Sequence, residues 1–531
     1  MRVLFLERIR ILLIREALPN QLVVEMAEYV LAIDVGTSGV RSIIFDTNGE
    51  VKASAYDEFT SMYPRPSWVE QNADAWWSAA TDTTRLALKE TTLSGEDIIG
   101  ISVTNQRETI VPVDEYGTPL RHAIVWQDRR TTVQCDAIRS RIPVEKIYHT
   151  TGLTVDPYFS APKILWIKDN EPEVFKKTHK FLLVHDYLVH KLAGNYVTDY
   201  SNASRTLLFD IDASQWSDLM LNELEIPTEK MPKPVSPGTK AGELTTKAAE
   251  SMGLERGTPI IAGGGDQQCA ALGVGVVEEG MIKATTGTGT FILAHSDALR
   301  LDDERRVLCS RHVVPESYVV EASMFTTGSA LRWVRDNIAI EECNIAEKRN
   351  MDPYDIMTAE AEQISPGSEG VIHIPHLAGA GAPYWNPHAR GVFAGLALGH
   401  TRSHMIRSVL EGVSYEIRAN LEVMRSLGLP SDEVRITGGA ARSETWMQIQ
   451  ADVLGVPVIR TELEDATALG AAILACYGVG IFKSISAAAR EMVRLKDQLK
   501  PSEENRTVYD TAYERYRELY DAISEIRLDT I

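Results

Sequence analysis

The chain has 531 residues, 44% of them hydrophobic and 24% charged, with a formal net charge of −20. That length exceeds what one hydrophobic core usually serves, so two domains are expected and a third is allowed. The acidic balance argues against a nucleic-acid surface, and no run of about 18 uncharged apolar residues marks a membrane span.

The opening MRVLFLERIRILLIREALPNQLVVEMAEY is broken by Glu7, Arg8, Arg10, Arg15 and Glu16, and no small-residue cleavage site follows. It reads as an amphipathic helix, or as sequence ahead of a true start at Met26. Residues 1–28 are therefore set aside as an extension without an assigned role. YVLAIDVGTSGVRSIIFDTNGEVKASAYDEF then gives strand, Gly/Thr/Ser turn, strand, Asn48-Gly49 turn and strand. It is not a P-loop, because GK[ST] is missing and no helix follows the glycines.

NADAWWSAATDTTRLALKE predicts a helix, IIGISVTNQRET a strand with a polar end, and VHDYLVHKLAG a helix stopped near Gly194. GTPIIAGGGDQQCAALG predicts a buried strand, a loop and a helix start. After Gly280 the opening pattern recurs, since MIKATTGTGTFILAHSD is again strand, Gly/Thr turn and strand. EVRITGGAARSETWMQIQADVLG adds strand, glycine turn and helix; DATALGAAILACYGVG is a small-residue helix suited to close packing. A charged helix closes the chain. The expected division is 1–28, 29–280, 281–490 and 491–531. Cys135, Cys269, Cys309, Cys343 and Cys476 are scattered and never form a CxxC pair, which fits a reducing cytoplasm.

Two hydroxyl-rich glycine turns facing one cleft make a phosphate cradle. Bare backbone allows close approach, and the hydroxyls of Thr37, Ser38 and Thr288 can donate to phosphate oxygens. Gly438 and Gly439 leave a flat surface for a nucleobase or ribose. Asp34, at the end of the first strand, suits Mg²⁺ held through water. Taken singly, each turn also reads as an ordinary surface hairpin, and Asp266 also reads as a cap on the helix after it.

Further strings carry a family resemblance: NQRET at 105–109, AIVWQDRRT at 123–131, DPYFSAPKILWI at 156–167, VTDYSNASRTLLFDI, GDQQ, GAPYWNPHARGVFAGL and DATALGAA. From about residue 29 to 490 the sequence resembles the FGGY carbohydrate kinases, and within them the glycerol-phosphorylating branch. The resemblance implies an α/β, two-domain, actin/hexokinase-like (ribonuclease H-like) ATPase fold with an interdomain cleft. It implies ATP and Mg²⁺, with Asp34 and Asp266 on the metal side. It makes Asp266 the catalytic base, its preceding glycines letting substrate and γ-phosphate come close. Arg107, Glu108, Tyr158, Asp266 and Gln267 would bind the polyol, with Trp126 and Phe291 as its apolar wall. Thr37, Ser38, Gly39, Arg41, Thr288, Gly328, Arg332, Gly439 and Ser443 would serve the nucleotide. A homodimer or homotetramer is common among such proteins.

The first turn reads DVGTSGVR, a form common in pentulose kinases, and Arg332 and Ser443 stand where the glycerol branch usually carries Gln and Asn. Another polyol, a ketopentose such as xylulose, or an autoinducer-like dihydroxyketone is therefore the alternative substrate. A nucleotide-binding scaffold without transfer is the rival class, and an intact Asp266, Arg107 and Glu108 speak against it.

Overall fold

The computed structural model describes residues 28–526. The expectations for residues 1–28 lie, apart from Glu28, outside the described residues.

In the first half, β1 (Tyr29–Val35), β2 (Gly39–Asp46) and β3 (Val51–Glu58) form the expected antiparallel meander. Gly49 takes a positive φ of 84° at the second turn, a conformation a side chain would strain. Helix α1 (Ala73–Lys89) starts at Asn72, whose side chain accepts from the Asp74 N–H. β4 (Ile98–Asn105) runs parallel to β1. β5 (Lys240–Glu243) is an antiparallel edge beside β6 (Pro259–Gly265), which is parallel to β4. The sheet order is β5-β6-β4-β1-β2-β3. Helix α2 (Asp266–Gly273) follows β6 without a break.

That continuity corrects one expectation. The glycines at 263–265 lie in a strand, not a loop, and none has a positive φ. A Cβ on Gly263 would fall 1.9 Å from the Val103 carbonyl oxygen, one on Gly264 2.3 Å from Val313, and one on Gly265 2.6 Å from Arg107. These glycines let β6 pack against its neighbours; the atoms crowding them are protein, not an opening for a ligand.

The second half repeats the plan. β7 (Gly280–Thr286), β8 (Thr290–Ser296), β9 (Leu308–Arg311) and β10 (Tyr318–Met324) give a second antiparallel set. Helices α3 (Gly328–Asn337) and α4 (Arg402–Ser426) follow. β11 (Ser431–Gly438) is parallel to β7, and after α5 (Glu444–Leu454) comes β12 (Val458–Thr461), parallel to β11. Helix α6 (Ala466–Gly478), edge strand β13 (Leu495–Leu499) and helix α7 (Glu503–Ser524) complete the order β9-β10-β8-β7-β11-β12-β13. Each half is thus an antiparallel set, of three strands in the first and four in the second, with two added parallel strands and an antiparallel edge.

The two sheets are joined by α2 and α6. One face of the first sheet is covered by α1 and the helix Val184–Ala193, which ends at Gly194 in the left-handed region. Its other face packs on α6 through Val30, Ala32, Leu469 and Ile473. Residues of α2 meet the second sheet through Ala270, Ala271, Leu293 and Val319. The crossing of α2 and α6 is backbone-close. A Cβ on Gly273 would lie 1.8 Å from the Ala466 carbonyl oxygen, and one on Gly470 2.0 Å from that of Cys269. The small residues of α6 exist for this contact, and it fixes the helix that Asp266 begins.

Candidate active site

Strand order decides where the chemistry gathers. Val35 pairs with Asn105, and Asn105 with Gly265, so β1, β4 and β6 end together. Their ends carry Asp34, Arg107, Glu108 and Asp266. In the second sheet Thr286 pairs with Gly438, which sets the 287–289 turn beside the glycines at 438 and 439. Ligands of open α/β sheets bind outside the carboxyl ends of parallel strands, and here both sheets have such an edge.

Asp266 is the first residue of α2, with Gly265 at the cap position. One carboxylate oxygen accepts from the Gln267 backbone N–H at 2.7 Å and lies 3.3 Å from Arg107 Nε. The other has no partner among the described residues. Burial, opposed by Arg107 and reinforced by Glu108, raises the carboxyl to about 6. A carboxylate with one bare oxygen and a raised proton affinity is suited to take a proton near neutral pH.

Arg107 is buried and binds Glu321 of β10 through two hydrogen bonds of 2.7 and 3.1 Å, with a third to Gln268 Oε1 at 3.2 Å. Counting its five N–H groups, with Nε turned to Asp266, leaves one on Nη2 for a substrate. Glu108, at a positive φ of 64°, accepts from Arg205 Nε at 2.6 Å. Burial works against the Glu321 charge, yet the guanidiniums of Arg107 and Arg205 hold its carboxyl down at about 2. Five charged groups of both signs therefore brace one another across the two halves.

The aromatic residues expected to line the polyol site pack as follows. Trp126 and Tyr158 meet edge to face at 5.6 Å, and Arg205 lies 5.7 Å over the Tyr158 ring. Lys163 fixes Tyr158 from below by donating to the carbonyls of Pro157, Tyr158 and Phe159 at 2.8, 2.6 and 2.9 Å. Phe291 packs from β8 against the α2 side. Trp126 Nε1 donates to the Thr37 hydroxyl at 3.0 Å, so the expected polyol wall and phosphate turn touch directly.

On the nucleotide side, Ser38 and Thr288 are exposed, and their hydroxyls have no partner among the described residues. Gly39 is buried beneath Tyr56; a Cβ there would lie 2.4 Å from the Asp57 carbonyl oxygen. Gly328 admits the start of α3 against the second turn, since its Cβ would lie 2.1 Å from the Gly287 carbonyl oxygen. Arg332 is exposed on the same helix, and Gly439 is exposed at the end of β11. The Ser443 side chain caps α5 by accepting from the Trp446 N–H at 3.2 Å. Arg41 is paired with Asp465. Asp34 is half-buried; burial and then the Asp266 and Asp465 carboxylates lift its carboxyl to about 7, with Arg41 pulling the other way.

Sequence reading missed four members of this site: Arg205, Lys283, Glu321 and Asp465. Lys283 and Glu321 were detectable as lone charges inside the apolar runs MIKATT and YVVEASM, because buried charges are rare unless paired. Arg205 and Asp465 lay within the strings NASRT and DATALG, with nothing local to single them out.

Comparison with known proteins places this geometry. Residues 29–273 match the N-terminal domain, and 282–479 the C-terminal domain, of the FGGY family of carbohydrate kinases. A glycerol kinase of Deinococcus radiodurans is 37% identical over 494 residues, covering 90% of this chain and 95% of that protein. Glycerol kinase 2 of Thermotoga maritima is 39% identical over 86% of this chain and 91% of its own. Among solved structures, xylulose kinase from Rhodospirillum rubrum superposes with a TM-score of 0.87 at 28% identity, covering 94% of this chain and 99% of that one. Plasmodium falciparum glycerol kinase with ADP gives 0.85 at 26%, over 95% and 99%.

Proposed function

The chain belongs to the FGGY family of carbohydrate kinases, and from that premise we propose that it transfers the γ-phosphoryl group of ATP to a primary hydroxyl of a small polyol, glycerol first, giving sn-glycerol 3-phosphate. The observation that carries this reading is the half-bare carboxylate of Asp266, braced by Arg107 beside Glu108 at the ends of three parallel strands. Relatives named glycerol kinase, at 37 and 39% identity over most of both chains, support glycerol over larger sugars.

The polyol lies against Trp126, Tyr158 and Phe291, with its hydroxyls toward Arg107, Glu108 and Gln267. The free oxygen of Asp266 takes the proton of the attacking hydroxyl as the new P–O bond forms and the bond to the ADP oxygen breaks. Phosphoryl transfer through a loose transition state is mainly positioning and charge stabilisation. The base adds a factor of about 10²–10⁴. The hydroxyls of Thr37, Ser38 and Thr288 and the turn amides hold the phosphates.

Asp34 and Asp266 supply oxygen donors only, and the Asp34 carboxylate has no hydrogen-bond partner among the described residues. Oxygen-only donors of this kind fit a hard cation such as Mg²⁺, which keeps much of its water. Mg²⁺ supplies neutralisation of phosphate charge when bound.

The reading is tested by coupled detection of ADP with glycerol, larger polyols, xylulose, ribulose and dihydroxyketones. Glycerol should give the highest kcat/KM. Turnover confined to xylulose would support the second reading, which the pentulose-like DVGTSGVR turn and the R. rubrum xylulose kinase likeness favour. ADP release indifferent to every acceptor would contradict both.

A further inference from the structure

Lys283 lies in the middle of β7 and is fully buried, although lysine is among the residues least often found in a core. Its register explains the location. Lys283 pairs with Leu293, and Leu293 with Glu321, so all three point from one face of the second sheet. That face meets α2, where Lys283 Nζ donates to Gln267 Oε1 at 2.6 Å. Burial acts most strongly on its amine and pulls it down to about 7; of the charged groups around it, Glu321 and Asp266 favour the ammonium form and Arg107 opposes it.

In that contact Lys283 Nζ is the donor and the Gln267 carbonyl oxygen the acceptor, the orientation an ammonium requires. The amide nitrogen then points away from Lys283. It has no hydrogen-bond partner among the described residues, and Gln267 is half-exposed beside Asp266. Two consecutive residues therefore offer the cleft a free acceptor oxygen on Asp266 and a free donor nitrogen on Gln267. Without Lys283 the amide is free to turn over, which would place a second acceptor beside the first.

We propose that Lys283 is a positioning residue that locks the Gln267 amide with its N–H₂ toward the substrate, so the site selects an acceptor carrying an oxygen on the carbon next to the reacting hydroxyl. This rests on the polyol-kinase reading above. It narrows the substrate class to vicinal diols and 2-oxo alcohols, and disfavours a primary alcohol without a neighbouring oxygen.

The test is a double-mutant cycle of Lys283→Met and Gln267→Ala, read as separate KM values for the polyol and for ATP, with 1,3-propanediol as an acceptor lacking the neighbouring oxygen. Losing one charge-assisted hydrogen bond predicts a polyol KM raised roughly 10-fold in Lys283→Met, with the KM for ATP unchanged. Lys283→Met should add nothing further in the Gln267→Ala background, and the preference for glycerol over 1,3-propanediol should shrink to the same value in all three variants. Lys283→Arg, which keeps a donor, should recover part of the polyol KM and shows whether the effect needs the charge or only the fold. Multiplicative effects of the two substitutions, or equal changes in both KM values, would overturn the proposal while leaving the kinase reading intact. Wild-type protein with no acceptor-dependent ADP release would overturn the kinase reading and this proposal with it.

Discussion

Arg107 from the first half of the chain grips Glu321 from the second through paired hydrogen bonds of 2.7 and 3.1 Å, both side chains buried. Removing one partner of a buried pair leaves the other charge stranded, at a cost of about 3–5 kcal/mol. Glu321→Gln should therefore unfold at clearly lower denaturant concentration and raise the polyol KM, since Arg107 loses its anchor. Chemical denaturation and steady-state kinetics check both. A variant with wild-type stability would mean that Glu108 and Asp266 already balance the two arginines.

Asp34 makes the opposite contribution. Its carboxyl is raised from 3.8 to about 7, so between those values the folded state binds the proton more tightly than the unfolded chain. Stability therefore falls as pH rises across that window and stays reduced above it. Asp34→Asn should melt roughly 1–3 °C higher than wild type at pH 7.5, with the gap closing as pH falls toward 4. Mg²⁺ without nucleotide should raise the melting temperature of the wild type and not of the variant. Equal responses to Mg²⁺ would move the cation away from Asp34.

In the proposed role, Asp266 sets the acid limb of the reaction. With its carboxyl raised to about 6, the fraction able to accept a proton declines below that pH. The profile of kcat/KM should fall about tenfold per pH unit on the acid side, with a midpoint near 6 in the free enzyme. A limb centred near the ordinary aspartate value of 3.8 would show that burial and Glu108 do not act on this group as described.

Gly265 bears on the position of Arg107 through packing. A Cβ there would lie 2.6 and 2.7 Å from Arg107 Cδ and Cγ, so Gly265→Ala must push that side chain aside. Overpacking of this kind costs about 1–3 kcal/mol of stability. The polyol KM should rise by roughly tenfold or more while the ATP KM stays near wild type. Unchanged kinetics would show that Arg107 can shift without consequence for the substrate.

Much of the architecture was legible because it rests on local signals. The meander of residues 29–58, its recurrence after Gly280 and the small-residue helix at 466–478 follow from strand alternation, turn residues and the Gly/Ala content that lets α6 cross α2. The motif strings also located Arg107, Glu108, Trp126 and Tyr158, which the fold brings together. The triple glycine misled, because a glycine run reads as a loop when the reason for it is the Val103 backbone in a neighbouring strand, far away in sequence. Lys283 and Glu321 stand out locally only as lone charges in apolar runs; that they meet Arg107, and that Arg205 joins them, depends on a register and a contact between halves that local patterns do not encode.

The most direct measurement is a single-turnover transfer of label from [γ-³²P]ATP to glycerol by wild type and by Asp266→Asn, at matched nucleotide occupancy. The wild type should place the label on glycerol, and the variant should bind ATP normally yet transfer at least about 100-fold more slowly. Transfer by Asp266→Asn at the wild-type rate, or label appearing only as inorganic phosphate in both, would contradict the assignment of Asp266 as the base of a polyol kinase.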